Sequence, residues 1–170
     1  MTVLGAPPPI TFDVEGPVQA EVFVIWLNGV RLELTGPCGA APWIIEIGQG
    51  EDPMRVVERM ARDALGPPRL VHSTSWRGAR NAVVLSFTVI VDAHQVRNLE
   101  SVAIHRSELA RSEATAAPKS IAHAQVLEHG LRHLAWLVQD DAVVRNELSP
   151  QWHAILKAYV PEPFRRLEVR

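Results

Sequence analysis

The chain has a single cysteine and no long apolar run. One cysteine, Cys38, in 170 residues allows neither a disulfide within the chain nor a zinc site built on several cysteines. No stretch approaches the roughly 18 consecutive apolar residues that a membrane-spanning helix needs. Residues 1–9 have neither the basic start nor the apolar core of a signal peptide. We therefore expect a reduced cytoplasmic protein that does not bind membranes.

A surplus of charge is also missing. Lysine and arginine together number 17 against 19 aspartates and glutamates, for a formal net charge of −2. Only two of the basic residues, Lys119 and Lys157, are lysines. A chain without a basic surplus lacks the overall electrostatic signature of nucleic-acid-binding proteins. On this ground we expect no nucleic-acid partner.

The length and composition are typical of one globular domain. The hydrophobic fraction is 47% and the charged fraction is 21%, both ordinary for a folded chain. Residues 1–17 include three consecutive prolines at 7–9 and predict an extended N-terminal arm. Residues 18–170 are expected to form a single α+β domain, with a helical C-terminal part over 119–160.

A β-hairpin is the clearest structural signal. Asn28 and Gly29 separate two strand-like segments, 21–27 and 30–35, and this dipeptide is typical of tight hairpin turns. A two-residue turn at these positions predicts that Leu27 pairs with the residue just after the turn. The resulting register places six apolar residues on one face of the sheet: Phe23, Ile25, Leu27, Val30, Leu32 and Leu34.

The rest of the pattern mixes strands and helices. Short apolar runs predict further strands at 43–47, 70–76, 82–91 and 101–105. Asp52 is a candidate N-cap and Pro53 suits the first helical position, so a helix is predicted up to Gly66. The C-terminal third predicts a helix over 121–138, one capped by Asp140 and one from Pro150 to about 160. This order indicates an α+β fold with a mixed or mainly antiparallel sheet and flanking helices.

Residues 48–91 combine a glycine-rich turn, an acidic cap, a helix, a glycine and two strands. Glu51, Arg59 and Gly66 keep the spacing of a glutamate, the arginine and the final glycine of the Nudix box. Asp63 stands where that box has the first of two adjacent glutamates. The segment therefore resembles the Nudix hydrolases, and the resemblance implies an α/β/α sandwich. It also implies Mg²⁺ or Mn²⁺ as the cofactor, if catalysis is retained, in cleavage of a nucleoside diphosphate linkage.

The departures from the box lie at its catalytic positions. Where the box has its opening glycine or further glutamates, this chain has Ile45, Met60 and Ala64. Glu51 and Asp63 are the remaining candidates for catalysis and for metal binding. The same residues also suit a structural role, with Glu51 favouring the helix N-terminus and Arg59 pairing with Asp63 at i,i+4. The resemblance thus implies a degenerate Nudix-like domain.

A polar strand end follows the box-like helix. Trp76 offers a stacking surface and Arg77 an anion partner, so this strand is a candidate wall of a ligand pocket. The candidate ligand-binding residues are Arg59, His72, Ser73, Ser75, Trp76 and Arg77. An edge strand with outward polar residues accounts for the same pattern.

Two histidines in the C-terminal third form a candidate metal pair. His129 and His133 are four residues apart and therefore share one face of a helix. Imidazole nitrogens bind zinc and other transition metals, but the sequence supplies no obvious third ligand. Surface histidines on an amphipathic helix are the plain alternative.

These features lead to one main functional hypothesis and two alternatives. The main one is a non-catalytic Nudix-like protein that binds a nucleotide-like small molecule or a protein partner. The first alternative is a divergent Mg²⁺- or Mn²⁺-dependent pyrophosphohydrolase, and the second is an α+β interaction module without a small-molecule site. The five tryptophans are expected mainly to pack in the core, and a homodimer face is the alternative for some of them, because aromatic residues are enriched at interfaces.

Overall fold

A computed structural model describes residues 16–39, 41–79, 81–107 and 121–159. Its strands are β1 (Val18–Asn28), β2 (Arg31–Thr35), β3 (Trp43–Ile47), β4 (Leu70–Ala79), β5 (Ala82–Ile90) and β6 (Ser101–Ala103). Its helices are α1 (Pro53–Leu65), α2 (His123–Asp140), α3 (Ala142–Glu147) and α4 (Pro150–Leu156). Short 3₁₀ turns cover Ala93–Gln95 and Lys157–Tyr159.

The strands form one mixed sheet in the order β4-β5-β1-β2-β6. β1 pairs in parallel with β5 along one edge. Along its other edge the first half of β1 pairs with β3 and the second half with β2, both antiparallel. A long central strand is thereby shared by three neighbours, and the predicted mixed sheet with flanking helices is confirmed.

The predicted hairpin is present, but its predicted register is wrong. Leu27 pairs with Leu32, not with Val30, and the two-residue turn is Gly29-Val30. Gly29 has a φ of +62°, and the first turn position is where a type II′ turn needs a positive φ. The register differs by an even number of residues, so the predicted inward faces of both strands are kept. Val30 is the exception: it lies in the turn and is 84% exposed.

Helix α1 covers one face of the sheet. The Asp52 carboxylate accepts a 2.9 Å hydrogen bond from the Met54 N–H, and Pro53 occupies the first turn, as predicted. The helix ends at Gly66, whose φ of +91° is costly for other residues. Two buried polar residues of β2, Glu33 and Thr35, face this side. The apolar core here consists of Ala20, Val22, Val24, Val57, Ala61, Leu65, Phe87, Val89, Val91 and Val96.

Helices α2, α3 and α4 cover the opposite face, which completes the predicted α/β/α sandwich. The segment that contains the two short helices buries every fourth residue, in the order Val144, Leu148, Trp152 and Leu156. A Cβ added at Gly130 would lie 2.9 Å from the Thr88 hydroxyl, so α2 rests directly against the sheet there. Glycine in this helix, a weakness by propensity, is what permits this close approach.

The C-terminal elements differ in detail from the prediction. α3 is capped by Asp141, which accepts from the Val143 and Val144 N–H groups, and not by Asp140. α4 ends at Leu156, and a 3₁₀ turn replaces its expected last turn. The predicted N-terminal arm lies almost entirely outside the described residues. In the part of the chain that is described, no helix has the length and apolar character to cross a membrane.

Candidate functional site

The box-like segment brings Glu51 and Arg59 together. One Glu51 carboxylate oxygen accepts from the Gly48 N–H at 2.9 Å, and the other accepts from the Arg59 guanidinium at 3.2 Å. These two contacts, the Gly48 N–H first, lower the pKa of Glu51 below its usual range. The Glu51 carboxylate therefore fastens the loop before α1 to the first turns of the helix.

Asp63 takes no part in this arrangement. It lies exposed on α1, and Arg59, its expected i,i+4 partner, is bonded to Glu51. Among the described residues no group of three or more His, Cys, Asp or Glu is arranged to hold a metal ion. The segment thus has the geometry of a helix cap with an exposed ion pair.

Arg77, a candidate ligand contact, reaches a buried carboxylate. Both terminal nitrogens of its guanidinium bond the two oxygens of Glu21, one of them at 2.6 Å. Glu21 has no exposed surface and also accepts a 2.6 Å bond from the Ser86 hydroxyl. These hydrogen bonds raise the pKa of Arg77 further above its already high value. Sequence reasoning missed Glu21, although it is the one charged residue in the apolar run of β1.

The other candidates on β4 do not form one pocket. The register of β4 against β5 shifts between Ser73 and Ser75. Thr74 forms the bulge there, and its hydroxyl donates to the Ser86 carbonyl. Trp76 lies opposite Leu85, on the α1 side, and is 70% exposed. Arg77 instead joins Glu21 on the α2 side. The strand therefore divides the predicted patch between the two faces of the sheet.

His72 meets a histidine that the sequence assigned to a different pair. Its Nε2 lies 3.0 Å from Nδ1 of His133 on α2, and the His133 ring stacks on Trp136 at 5.6 Å. Burial, with a smaller contribution from His133, lowers the pKa of His72 to about 4. Burial also lowers the pKa of His133, helped by His129 one turn away. Both imidazoles are therefore neutral at pH 7.

A second buried carboxylate anchors α2. Glu128 is 2% exposed and accepts hydrogen bonds from Arg106, Arg132 and the Ser107 N–H. Burial alone would raise its pKa, but these bonds outweigh burial and leave the pKa lowered. Arg106 also lies over the Tyr159 ring at 4.4 Å. The segment after β6 is thereby tied to α2 and to the C-terminal 3₁₀ turn.

A cleft of about 430 Å³ opens between α2, α3 and α4. It is lined by Ala135, Val138, Gln139, Arg145, His153, Leu156 and Lys157. Arg145 donates to the Val138 carbonyl at 2.8 Å and also to that of Gln139, at the end of α2. His153 lies 3.0 Å from the Arg145 carbonyl. None of the lining residues is acidic, so the charged groups in the cleft are all cationic.

The chain is similar in structure to NrtR from Shewanella oneidensis. The TM-score is 0.58 at 12% sequence identity, with 89% of this chain and 83% of that chain covered. NrtR in complex with a 27-mer DNA matches with a TM-score of 0.53 at 11% identity, covering 88% and 81%. Neither a protein-family model nor a curated protein matches the sequence.

These likenesses confirm the predicted Nudix-like α+β fold, and they overturn two other predictions. A protein of this fold is found on DNA, which contradicts the expectation that nucleic acid is excluded. The same finding contradicts the main hypothesis of small-molecule or protein-partner binding and its two alternatives. The error has a physical cause, because net charge averages over the whole surface while nucleic acid contacts one part of it. The described chain is an α/β/α sandwich with the fold of NrtR.

Proposed function

We propose that this chain binds double-stranded DNA through the surface of α3 and α4. The observation that carries the proposal is the likeness to a DNA-bound structure across 88% of the chain. The part of this chain that the match leaves uncovered is shorter than the helical part, residues 121–159. The structural similarity therefore extends into the helical part. Fold alone does not specify function, and the local chemistry of these helices is the second support.

The outward faces of α3 and α4 carry side chains suited to DNA. The buried residues of the two helices recur every fourth position, which leaves the polar ones facing solvent. Four exposed residues on α3, α4 and the 3₁₀ turn that follows α4 have suitable chemistry: Arg145, Asn146, Gln151 and Lys157. Arginine and lysine contact phosphates, whereas asparagine and glutamine amides donate to and accept from base edges.

The adjoining cleft supplies local positive charge. Arg145 and Lys157 line it with His153, and its lining residues include no carboxylate. Arg145 uses part of its guanidinium to hold the end of α2, which fixes its position at the cleft. Lys157 is exposed and is the simplest phosphate contact. Glu147, exposed on α3 two residues after Arg145, carries the opposite charge and tunes the strength of binding.

We also infer that the box around α1 is degenerate and does not contribute to DNA binding. Ile45, Met60 and Ala64 replace the box glycine and two of its glutamates. Glu51 is occupied by Gly48 and Arg59, which supports a structural role for it.

The test is fluorescence anisotropy with a labelled 27-base-pair duplex of random sequence, over 25–200 mM salt. We expect saturable binding whose affinity falls steeply with salt, because phosphate contacts release counterions. Lys157→Glu should weaken binding about ten-fold and reduce the salt slope by about 1. Glu147→Lys should strengthen binding by a similar factor, since it adds a cation to the same surface.

The matched control is Arg55→Glu. Arg55 is an arginine with a highly exposed side chain on α1, across the sheet from the proposed surface, so its reversal makes the same charge change elsewhere. It should alter affinity less than two-fold. Absence of binding at 25 mM salt would refute DNA binding itself. Equal effects of Lys157→Glu and Arg55→Glu would refute the assigned surface while leaving DNA binding intact.

A further inference from the structure

The His72–His133 contact has an unusual shape for a hydrogen bond. The two nitrogens are 3.0 Å apart, the ring centroids are 4.7 Å apart and the ring planes are inclined at 59°. Two imidazoles in line with a hydrogen bond of this length would have centroids about 5.3 Å apart. The nitrogens therefore meet at an angle, with the rings tilted away from a common line.

This bent arrangement is that of two imidazoles sharing one metal ion. Metal–nitrogen distances of about 2.0–2.1 Å and an angle of 90–100° at the metal place the two nitrogens about 3 Å apart. We propose that His72 and His133 form a two-histidine site for a divalent transition metal ion. The ion would bind Nε2 of His72 on β4 and Nδ1 of His133 on α2.

The contact already places the two ligand atoms side by side, with Nε2 of His72 3.0 Å from Nδ1 of His133. A metal ion binds the unprotonated nitrogen of a neutral imidazole ring. In the metal-bound form the N–H groups are on His72 Nδ1 and His133 Nε2, so the proton of the bridging N–H moves to the far nitrogen of its own ring. Trp136 stacks nearly parallel to His133, with 10° between the planes, and fixes its orientation.

The protein supplies two ligands to this site. The described residues hold no metal-binding group of three or more His, Cys, Asp or Glu side chains, so water would complete the coordination. A site of two imidazole nitrogens favours Cu²⁺ over Ni²⁺ and Zn²⁺ by the general order of stability of such complexes. This pair differs from the His129–His133 pair that sequence spacing suggests, because it joins strand to helix.

The experiment is a CuCl₂ titration of the untagged chain at pH 7.4, followed by calorimetry and electron paramagnetic resonance. We expect one Cu²⁺ per chain, with hyperfine splitting from two imidazole nitrogens. His72→Gln and His133→Gln should each weaken binding at least ten-fold and lose one nitrogen from the spectrum. Glutamine keeps an amide in place of the ring, and a thermal melt of each variant verifies that it is folded.

His129→Gln separates the two histidine pairs. His129 is exposed and lies one turn before His133, so its replacement should leave copper affinity and spectrum unchanged. Loss of the site in His129→Gln but not in His72→Gln would overturn the proposal in favour of the helical pair. A wild-type chain with no saturable copper site, or with a single-nitrogen spectrum, would overturn it without reference to any variant.

Discussion

The buried ion pair between Glu21 and Arg77 offers the sharpest test of how this sheet is stabilised. The Glu21 carboxylate is fully buried and has two kinds of partner, the Arg77 guanidinium and the Ser86 hydroxyl. Arg77→Leu removes the only countercharge in contact with it among the described residues and leaves one neutral hydrogen bond. Removing one member of a buried pair typically costs about 3–5 kcal/mol, because the other charge stays desolvated.

The magnitude translates into a clear shift in melting temperature. For a chain of this size, 1 kcal/mol corresponds to roughly 2–4 °C, so Arg77→Leu should lower the melting temperature by roughly 6–20 °C. Glu21→Leu combined with Arg77→Leu removes both charges. Replacing both members with apolar groups is often close to neutral, so the double variant should regain most of the lost stability.

Urea unfolding of the four chains in a double-mutant cycle measures the coupling directly. Arg55→Leu is the control, because its pair with Asp52 is exposed and should contribute less than about 1 kcal/mol. The reasoning fails if Arg77→Leu costs under 1 kcal/mol. It also fails if the double variant loses as much stability as the sum of the two single variants.

Three further predictions concern α1 and α2. Gly130→Ala should destabilise the fold by about 1–3 kcal/mol in urea unfolding, because its Cβ would lie 2.9 Å from the Thr88 hydroxyl; a gain in stability, as helix propensity alone predicts, would refute this. Glu128→Gln should cost about 2–3 kcal/mol at pH 7. Because the pKa of Glu128 is lowered, the contribution of its carboxylate is complete above the usual range of carboxyl pKa values and is lost as pH falls through the lowered value. The stabilities of wild type and variant should therefore converge below that lowered value. Asp52→Ala should cost about 1 kcal/mol through loss of the bond from the Met54 N–H, whereas Asp52→Asn should cost much less.

Local patterns predicted the elements because they depend on near neighbours in sequence. Each of three features is set by residues only a few positions apart: the cap at Asp52 and Pro53, the alternation of β1 and the helical stripe of α2. The hairpin shows where this information stops. Two-residue periodicity determined which side chains point inward, but two turn positions give the same inward faces. A positive φ at Gly29 suits both turns, and only the pairing of Asn28 with Arg31 distinguishes them.

The candidate site was harder to predict because its contacts join distant parts of the chain. Arg77 is 56 residues from Glu21, and His72 is 61 residues from His133. Helical spacing paired His133 with His129 and Arg59 with Asp63, each four residues apart. In both cases the observed partner lies outside that helix, where spacing carries no information.

The two faces of the sheet differ in a way that explains the position of α2. Helix α1 packs on its face through apolar side chains, and the buried polar residues of that face, Glu33 and Thr35, lie on β2. The other side holds Glu21, Thr88 and Glu128, buried groups that need partners at fixed distances and angles. Glu128 connects α2 to Arg106, and His133 meets β4. Directional bonds thus fix α2, and through it α3 and α4, so a surface built on these short helices has a defined orientation relative to the sheet.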